Sequence, residues 1–209
     1  TFKVKLYQYK LTMSPTIYNN NNAIIKEKMA SFDYDWTIVN PKDGKTFPSS
    51  IDDWVWLYPG VPEKIKQYYE DGYMIVVFTN QSKKWKCEQI QMVMKQLEIP
   101  LFVVIATDKT EYKPNPILFN IPFGGNINKE ESFFVGDALG RKSDFSDSDK
   151  VFAENIGIKC YSPEEAHKYR LTPSEYVNAT RQAKINLVLS GYQNNLAYRF
   201  YEVLYLKSF

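Results

Sequence analysis

The chain reads as an α/β protein built on a doubly wound parallel sheet. Two patterns predict this. Short apolar runs alternate with segments of helical periodicity, and a polar, chemically capable residue stands just past the end of each run. Met29 to Phe32, Tyr73 to Phe78, Leu101 to Ala106 and Ser132 to Val135 are near-continuous apolar runs, as expected of strands buried on both faces. Their right-handed crossovers leave functional side chains at the carboxyl ends of the strands.

Taken in order, Phe2 to Lys10 alternates as Phe-Lys-Val-Lys-Leu and is expected to be an edge strand, its lysines discouraging mispairing. Pro15 to Asn22, ending in four asparagines, is expected to be a loop. Met29 to Phe32 is the first core strand and leads directly into Asp33-Tyr34-Asp35-Trp36-Thr37. Pro41 to Pro59 reads as a surface flap. Pro62 to Asp71 and Lys84 to Leu97 read as helices, the second carrying Ile90, Val93, Met94 and Leu97 on one face. Ile185 to Ser190 and Asn195 to Leu206 read as a further strand and helix. The expected organisation is a 1–27 extension, a 28–165 core and a 166–209 C-terminal extension, without internal repeats.

Asp33 and Asp35 flank one residue at an expected strand end, and Thr37 follows by two, so the three side chains can converge on one point. That is an arrangement for phosphoryl transfer: one carboxylate attacks phosphorus while the other protonates the leaving oxygen and later accepts a proton from water. Alone, Asp-x-Asp-x-Thr also suits a solvated turn or a helix cap. It also places oxygens at the first, third and fifth positions of a calcium loop, but Ile38 stands where that loop needs glycine and Gly44 where it needs glutamate. Two anions beside a phosphate require a compensating cation and a fixed lysine. The later strands end in Thr79-Asn80-Gln81, in a loop carrying Lys113, and in Gly136-Asp137-Ala138, which supply hydroxyl, lysine and a third acid. Thr79 and Asn80 would equally cap the next helix, Lys113 would serve as a loop lysine, and Asp137 as a turn residue.

These residues together resemble the haloacid dehalogenase superfamily of phosphatases. Asp43-Gly44-Lys45, Phe47-Pro48, Asp53-Trp54, Leu57-Tyr58-Pro59, Phe78-Thr79-Asn80-Gln81, Phe134-Val135-Gly136-Asp137-Ala138, Gly140-Arg141 and Asp144-Phe145-Ser146 with Asp149, Phe152, Ala153 and Asn155 are similar to the phosphatase half of polynucleotide kinase-phosphatase, over roughly Lys28 to Glu165. The resemblance implies a Rossmann-type core. It implies Asp33 as nucleophile, Asp35 as general acid and base, and Thr79, with neighbouring Asn80, and Lys113 as phosphate ligands. Mg2+ would be held by Asp137, a carboxylate oxygen of Asp33 and the backbone carbonyl of Asp35. The implied substrate is a nucleic-acid end carrying a 3'-phosphate, most naturally DNA under repair. Most members of that family carry glycine where this chain has Trp36, and the segment after Gln81, longer and glycine-rich in the family, is compact here.

Asp33 and Thr79 are 46 positions apart and Thr79 and Lys113 are 34 apart, which leaves no room for a large cap domain. An open site suits a macromolecular end. The net charge is +2, yet residues 31–162 hold 15 Lys and Arg against 19 Asp and Glu. Backbone binding is therefore expected from local clusters, Lys83, Lys84 and Lys86 around Trp85, and Arg141 with Lys142. Trp85, with its lysine neighbours, is the expected stacking face for an unpaired base, whereas Trp54 and Trp56 are expected to pack.

Cys87 and Cys160 give no disulfide framework and no Cys/His cluster suggests zinc. No apolar stretch spans a bilayer and no signal peptide is evident, so a membrane partner is not expected and an intracellular compartment, cytoplasmic or nuclear, is. His167, the only histidine, is expected to be solvated. Gly191 lies in a region where two-activity relatives begin a nucleotide-binding loop, but no lysine follows as such a loop requires, so no kinase activity is expected. Two other readings stay open on sequence: a phosphatase of small esters of the histidinol phosphate type, and a catalytically silent nucleic-acid-binding module.

Overall fold

The computed structural model describes residues 15–42, 44–125 and 127–166. The expected strand at Phe2 to Lys10, the C-terminal strand and helix, and His167 lie outside these residues.

Among the described residues, six strands form one sheet: β1 (Thr16–Asn20), β2 (Met29–Phe32), β5 (Met74–Asn80), β6 (Leu101–Ala106), β7 (Phe133–Val135) and β8 (Lys159–Tyr161). Their spatial order is β1-β6-β5-β2-β7-β8. All neighbours are parallel except β1, which runs antiparallel to β6 with Thr16 opposite Ile105. From β2 the chain first builds outward through β5 and β6, then returns to the other side of β2 as β7 and β8. This reversal of direction makes β2 the topological switch strand, and Asp33 directly follows it.

Period-two alternation sends successive strand residues to opposite faces. On one face Ala30, Phe32, Ile75, Val77, Val103 and Ile105 pack against α1 (Val61–Glu70) and α2 (Lys84–Lys95), through Val61, Ile65, Ile90, Val93 and Met94. On the other face Met29, Met74, Val76, Phe78, Val104 and Phe134 meet α3 (Ile117–Phe123) and α4 (Ser148–Ile156), through Leu118, Phe119, Phe123, Phe152 and Ala153. A four-residue helix, α5 (Pro163–Ala166), follows β8. Phe78 sits at the centre of an aromatic cluster, its ring centroid 5.4 Å from Phe152 and 6.0 Å from Phe123.

The asparagine-rich segment corrects the sequence expectation. Thr16–Asn20 is a strand, because an edge position needs hydrogen bonds on one side only. Asn21 and Asn22 form the turn that follows. Asn19 receives the Ala23 amide at 2.6 Å, and Asn21 and Asn22 adopt left-handed φ of 53° and 56°, which asparagine tolerates. Strand β5 also extends through Thr79 and Asn80, so these two belong to the sheet and do not cap α2, whose N-cap residue is Lys83.

Between β2 and α1 the chain forms a small flap whose base is the pair β3 (Val39–Asn40) and β4 (Val55–Trp56). Asp53 fixes its interior, accepting from the backbone of Lys42 at 2.9 Å and of Ser49 at 2.8 Å. Trp54 and Trp56 pack edge to face at 5.3 Å against the core, as expected. Among the described residues, no helix is long and apolar enough to cross a membrane.

Phe78→Ala removes the centre of the aromatic cluster and is expected to lower unfolding free energy by about 3–5 kcal/mol, read from the midpoint of urea denaturation.

Candidate active site

The carboxyl ends of β2, β5 and β7 and the loop after β6 open into one cavity of about 990 Å3, lined by Asp33, Asp35, Thr79, Lys113, Asp137 and Asp149 among others. The predicted acids, hydroxyl and lysine therefore converge on one cavity.

Asp33 is placed by its amide, which donates to Val135 O at 2.8 Å and so continues the β2–β7 ladder by one residue. The chain then turns tightly: Ile38 and Val39 both donate to Tyr34 O, at 2.9 and 3.1 Å. Within this turn Trp36 has φ 56°, a left-handed conformation that favours glycine. Its indole Nε1 donates to Thr46 O at 3.0 Å, tying the turn to the flap.

Lys113 is 6% exposed and its Nζ lies 2.7 Å from Asp33 Oδ1 and 2.6 Å from Asp149 Oδ1. Burial disfavours its charge, but the attraction of Asp149 and Asp33 outweighs that and holds it above the usual lysine range. Its backbone is fixed by Asn80, whose Oδ1 accepts from Lys113 N at 2.9 Å and whose Nδ2 donates to Lys113 O at 3.4 Å. Asn80, expected among the phosphate ligands, thus uses its side-chain amide to position the lysine loop.

Asp149, in the first turn of α4, was not singled out as a site residue from sequence. It is 1% exposed, accepts from Lys113, and takes the Ala138 amide at 3.1 Å. The available signal was an aspartate on the apolar helix face, in register with Phe152, Ala153 and Ile156. Gly136 permits the close approach, since a Cβ there would stand 2.6 Å from Asp149 Cγ.

Ligand oxygens of Asp33, Asp137 and Asp149 lie within 4.8 Å of one another. Burial, reinforced by Asp149 and Asp137 and opposed by Lys113, pushes Asp33 up to about 8. Burial and then Asp149 push Asp137 up to about 6. Three carboxyl groups facing Lys113 thus resist ionising together, and hard oxygen donors in that number fit a divalent cation that would offset their charge.

Asp35 is held at both oxygens. Gln81 Nε2 donates to Oδ2 at 2.7 Å, and also approaches Thr79 Oγ1 at 3.1 Å; Lys86 Nζ lies 2.7 Å from Oδ1. Lys86 is 4% exposed, so it is turned into the site and is not available at the surface for a phosphate backbone, contrary to the sequence expectation. The remaining basic residues divide. Lys83 lies over the Trp85 ring at 5.6 Å and both line the cavity. Lys84 and Lys142 are exposed outside its lining. Arg141 lines the cavity but its guanidinium is engaged by Asp144 at 2.9 Å, Glu164 at 3.4 Å and Asp137 O at 3.3 Å. Asp144 in turn accepts the amides of Leu139 and Arg141, both at 3.0 Å, which fixes the loop after Asp137. Phe47 and Phe145, 75% and 93% exposed, flank the opening.

The sequence profile described as polynucleotide kinase 3 phosphatase matches residues 28–167, which contain every one of these side chains. The chain belongs to that family. It carries a phosphatase domain of that family. A 20.8 kDa protein of Autographa californica nuclear polyhedrosis virus is 37% identical over 165 residues, 71% of this chain and 90% of that protein. The bifunctional polynucleotide phosphatase/kinase of Schizosaccharomyces pombe is 34% identical over 171 residues, 76% of this chain and 42% of that protein. The polynucleotide 3'-phosphatase ZDP of Arabidopsis thaliana is 31% identical over 169 residues, 66% of this chain and 24% of that protein. The chain therefore spans less than half the length of the yeast and plant relatives.

Two measurements check this geometry. Gly136→Ala forces Asp149 away from Lys113 and is expected to cost about 1–3 kcal/mol in urea denaturation. The hydrogen bonds from Arg141, with those from Leu139, hold Asp144 down at about 2, below the ordinary 3.8. Its contribution to stability is thus complete above about 3.8 and is lost as pH falls through about 2. Asp144→Asn is expected to flatten that acid limb in a pH series of unfolding midpoints.

Proposed function

We propose that the protein is a magnesium-dependent polynucleotide 3'-phosphatase acting through an aspartyl-phosphate on Asp33. The observation that carries this reading is the convergence of Asp33, Asp35, Thr79, Lys113 and Asp137 at the ends of adjacent strands on one open cavity. Family membership supports the reaction class, and the names of the yeast and plant relatives support the nucleic-acid substrate.

The residues divide the chemistry. A carboxylate oxygen of Asp33 attacks phosphorus, the P–O3' bond breaks, and Asp35 delivers its proton to the departing O3'. A water then attacks the aspartyl-phosphate, Asp35 takes the proton, and the bond from Asp33 to phosphorus breaks to release inorganic phosphate. Lys113 offsets the charge of Asp33 and of the phosphoryl group, and the Thr79 hydroxyl donates to a phosphoryl oxygen. Asp33 and Asp137, with Asp149 in the same cluster and the Asp35 carbonyl, would hold Mg2+, which supplies charge neutralisation at the phosphoryl oxygens.

The width of the cavity supports an end of a polymer over an enclosed metabolite. Trp36, Phe47, Trp85 and Phe145 offer aromatic faces around the acids, and base stacking on such faces is worth about 1–3 kcal/mol per base. Lys83 adds a positive charge at the rim.

The test presents a 3'-phosphorylated oligonucleotide and histidinol phosphate in parallel, with Mg2+ or with a chelator, and measures phosphate release. Turnover of the oligonucleotide is expected only with the metal. Asp33→Asn is expected to abolish it, and Asp35→Asn to reduce it by about 10²–10⁴-fold. Turnover of the small ester alone overturns the polynucleotide assignment, and turnover of neither points to a silent nucleic-acid-binding module.

A further inference from the structure

Lys86 is a buried cation with two close acceptors and an aromatic ring beside it. Its Nζ is 2.7 Å from Asp35 Oδ1 and 2.7 Å from Gln89 Oε1, and it stands 4.9 Å from the centroid of the Tyr34 ring. Lys86 and Gln89 are three apart on α2, on the same buried face as Ile90 and Val93, where a purely packing role would call for an apolar side chain. Gln89 continues the connection outward: its Nε2 donates to Ser50 O at 3.2 Å and to Ile51 O at 2.8 Å, both in the flap. An unbroken polar path thus runs from the flap backbone through Gln89 and Lys86 to Asp35.

We infer that Lys86 is a positioning residue for Asp35, and that Gln89 couples that position to the seating of the flap; this rests on the phosphatase reading above. Asp35 must reach the leaving oxygen and then a water from one side-chain orientation. Lys86 and Gln81 each hold a different carboxylate oxygen, both at 2.7 Å, and so restrain the plane of the group. Each oxygen has a second lone-pair site, so the carboxyl group can be held and still exchange a proton with substrate. Without Lys86, one oxygen is released and the group is free to rotate about its side-chain bonds. Without Gln89, Lys86 remains but loses its link to the flap.

The consequence is a loss that depends on the leaving group. A nucleoside O3' leaves as an alkoxide equivalent and needs the proton that Asp35 brings, whereas p-nitrophenolate leaves without one. The parameter kcat/KM reports the steps up to departure of the leaving group, so it isolates this proton delivery from the later attack of water.

The experiment measures kcat/KM with Mg2+ for a 3'-phosphorylated oligonucleotide and for p-nitrophenyl phosphate, in the unaltered protein and in Lys86→Met, Lys86→Arg and Gln89→Met, with a thermal melt of each. For Lys86→Met the oligonucleotide value is expected to fall at least about 10-fold and the p-nitrophenyl phosphate value by less than about 3-fold, within the range that general acid catalysis contributes. Lys86→Arg, which keeps the charge, is expected to recover most of the loss, and Gln89→Met to show a smaller loss with the same split. If Lys86→Met does not fold, Gln89→Met decides by the same split. In Lys86→Met, or in Gln89→Met in its place, an equal loss on both esters, or no loss on either, overturns the inference and leaves the phosphatase reading standing. Failure of the unaltered protein to act on either ester overturns that reading and the inference with it.

Discussion

Lys113 lies buried between Asp33 and Asp149, with its ammonium within hydrogen-bond distance of both carboxylates. Much of the site depends on that contact. Asp149 is bound to Lys113 on one side and to the Ala138 amide on the other, so it fixes the loop that carries Asp137. Asp33 is anchored on its strand by Val135 and paired through its carboxyl group with Lys113. Removing one partner from such a buried ionic group typically costs about 3–5 kcal/mol, because the remaining charge is stranded. The same ionic arrangement therefore serves both stability and chemistry.

Around that centre the site is a set of constraints transmitted from different elements. Strand β5 contributes Thr79 to the cavity, and its next residue, Asn80, clamps the Lys113 backbone from the neighbouring loop. Gly136 leaves the space into which Asp149 fits. Trp36 stays in a glycine-like conformation, with its indole hydrogen-bonded to the flap, so the turn that follows the two acids is tied to the cavity wall. Asp35 has its own anchorage in Gln81 and Lys86. The two acids are two residues apart in sequence, yet different lysines accompany them, as their different tasks require.

Much of this was legible in the sequence. The buried strands β2, β5, β6 and β7 appear as apolar runs because parallel strands covered on both faces have no polar side to show. Helix α2 showed its inward stripe. The edge strand β1 did not appear, because a strand paired on one side can be built from threonine, tyrosine and asparagine without an apolar run. Lys86 was misplaced for a related reason. It lies in a lysine-rich stretch beside Trp85, and composition cannot separate a lysine that faces solvent from one that faces inward when the distinction is a rotation of about 100° per residue on a helix.

By itself, the sequence determined which residue types stand at the ends of which strands, and so the reaction class to which they are suited, because strand ends follow from local patterns of apolar and polar residues. The tertiary structure alone decided the pairings: Lys113 with Asp149, Lys86 with Asp35, Asn80 with the lysine loop, Gln89 with the flap. Each joins side chains from segments separated in the chain, and their distances and burial arise only when the helices close over the two faces of the sheet. A charge in a linear sequence has no dielectric environment, and folding assigns one.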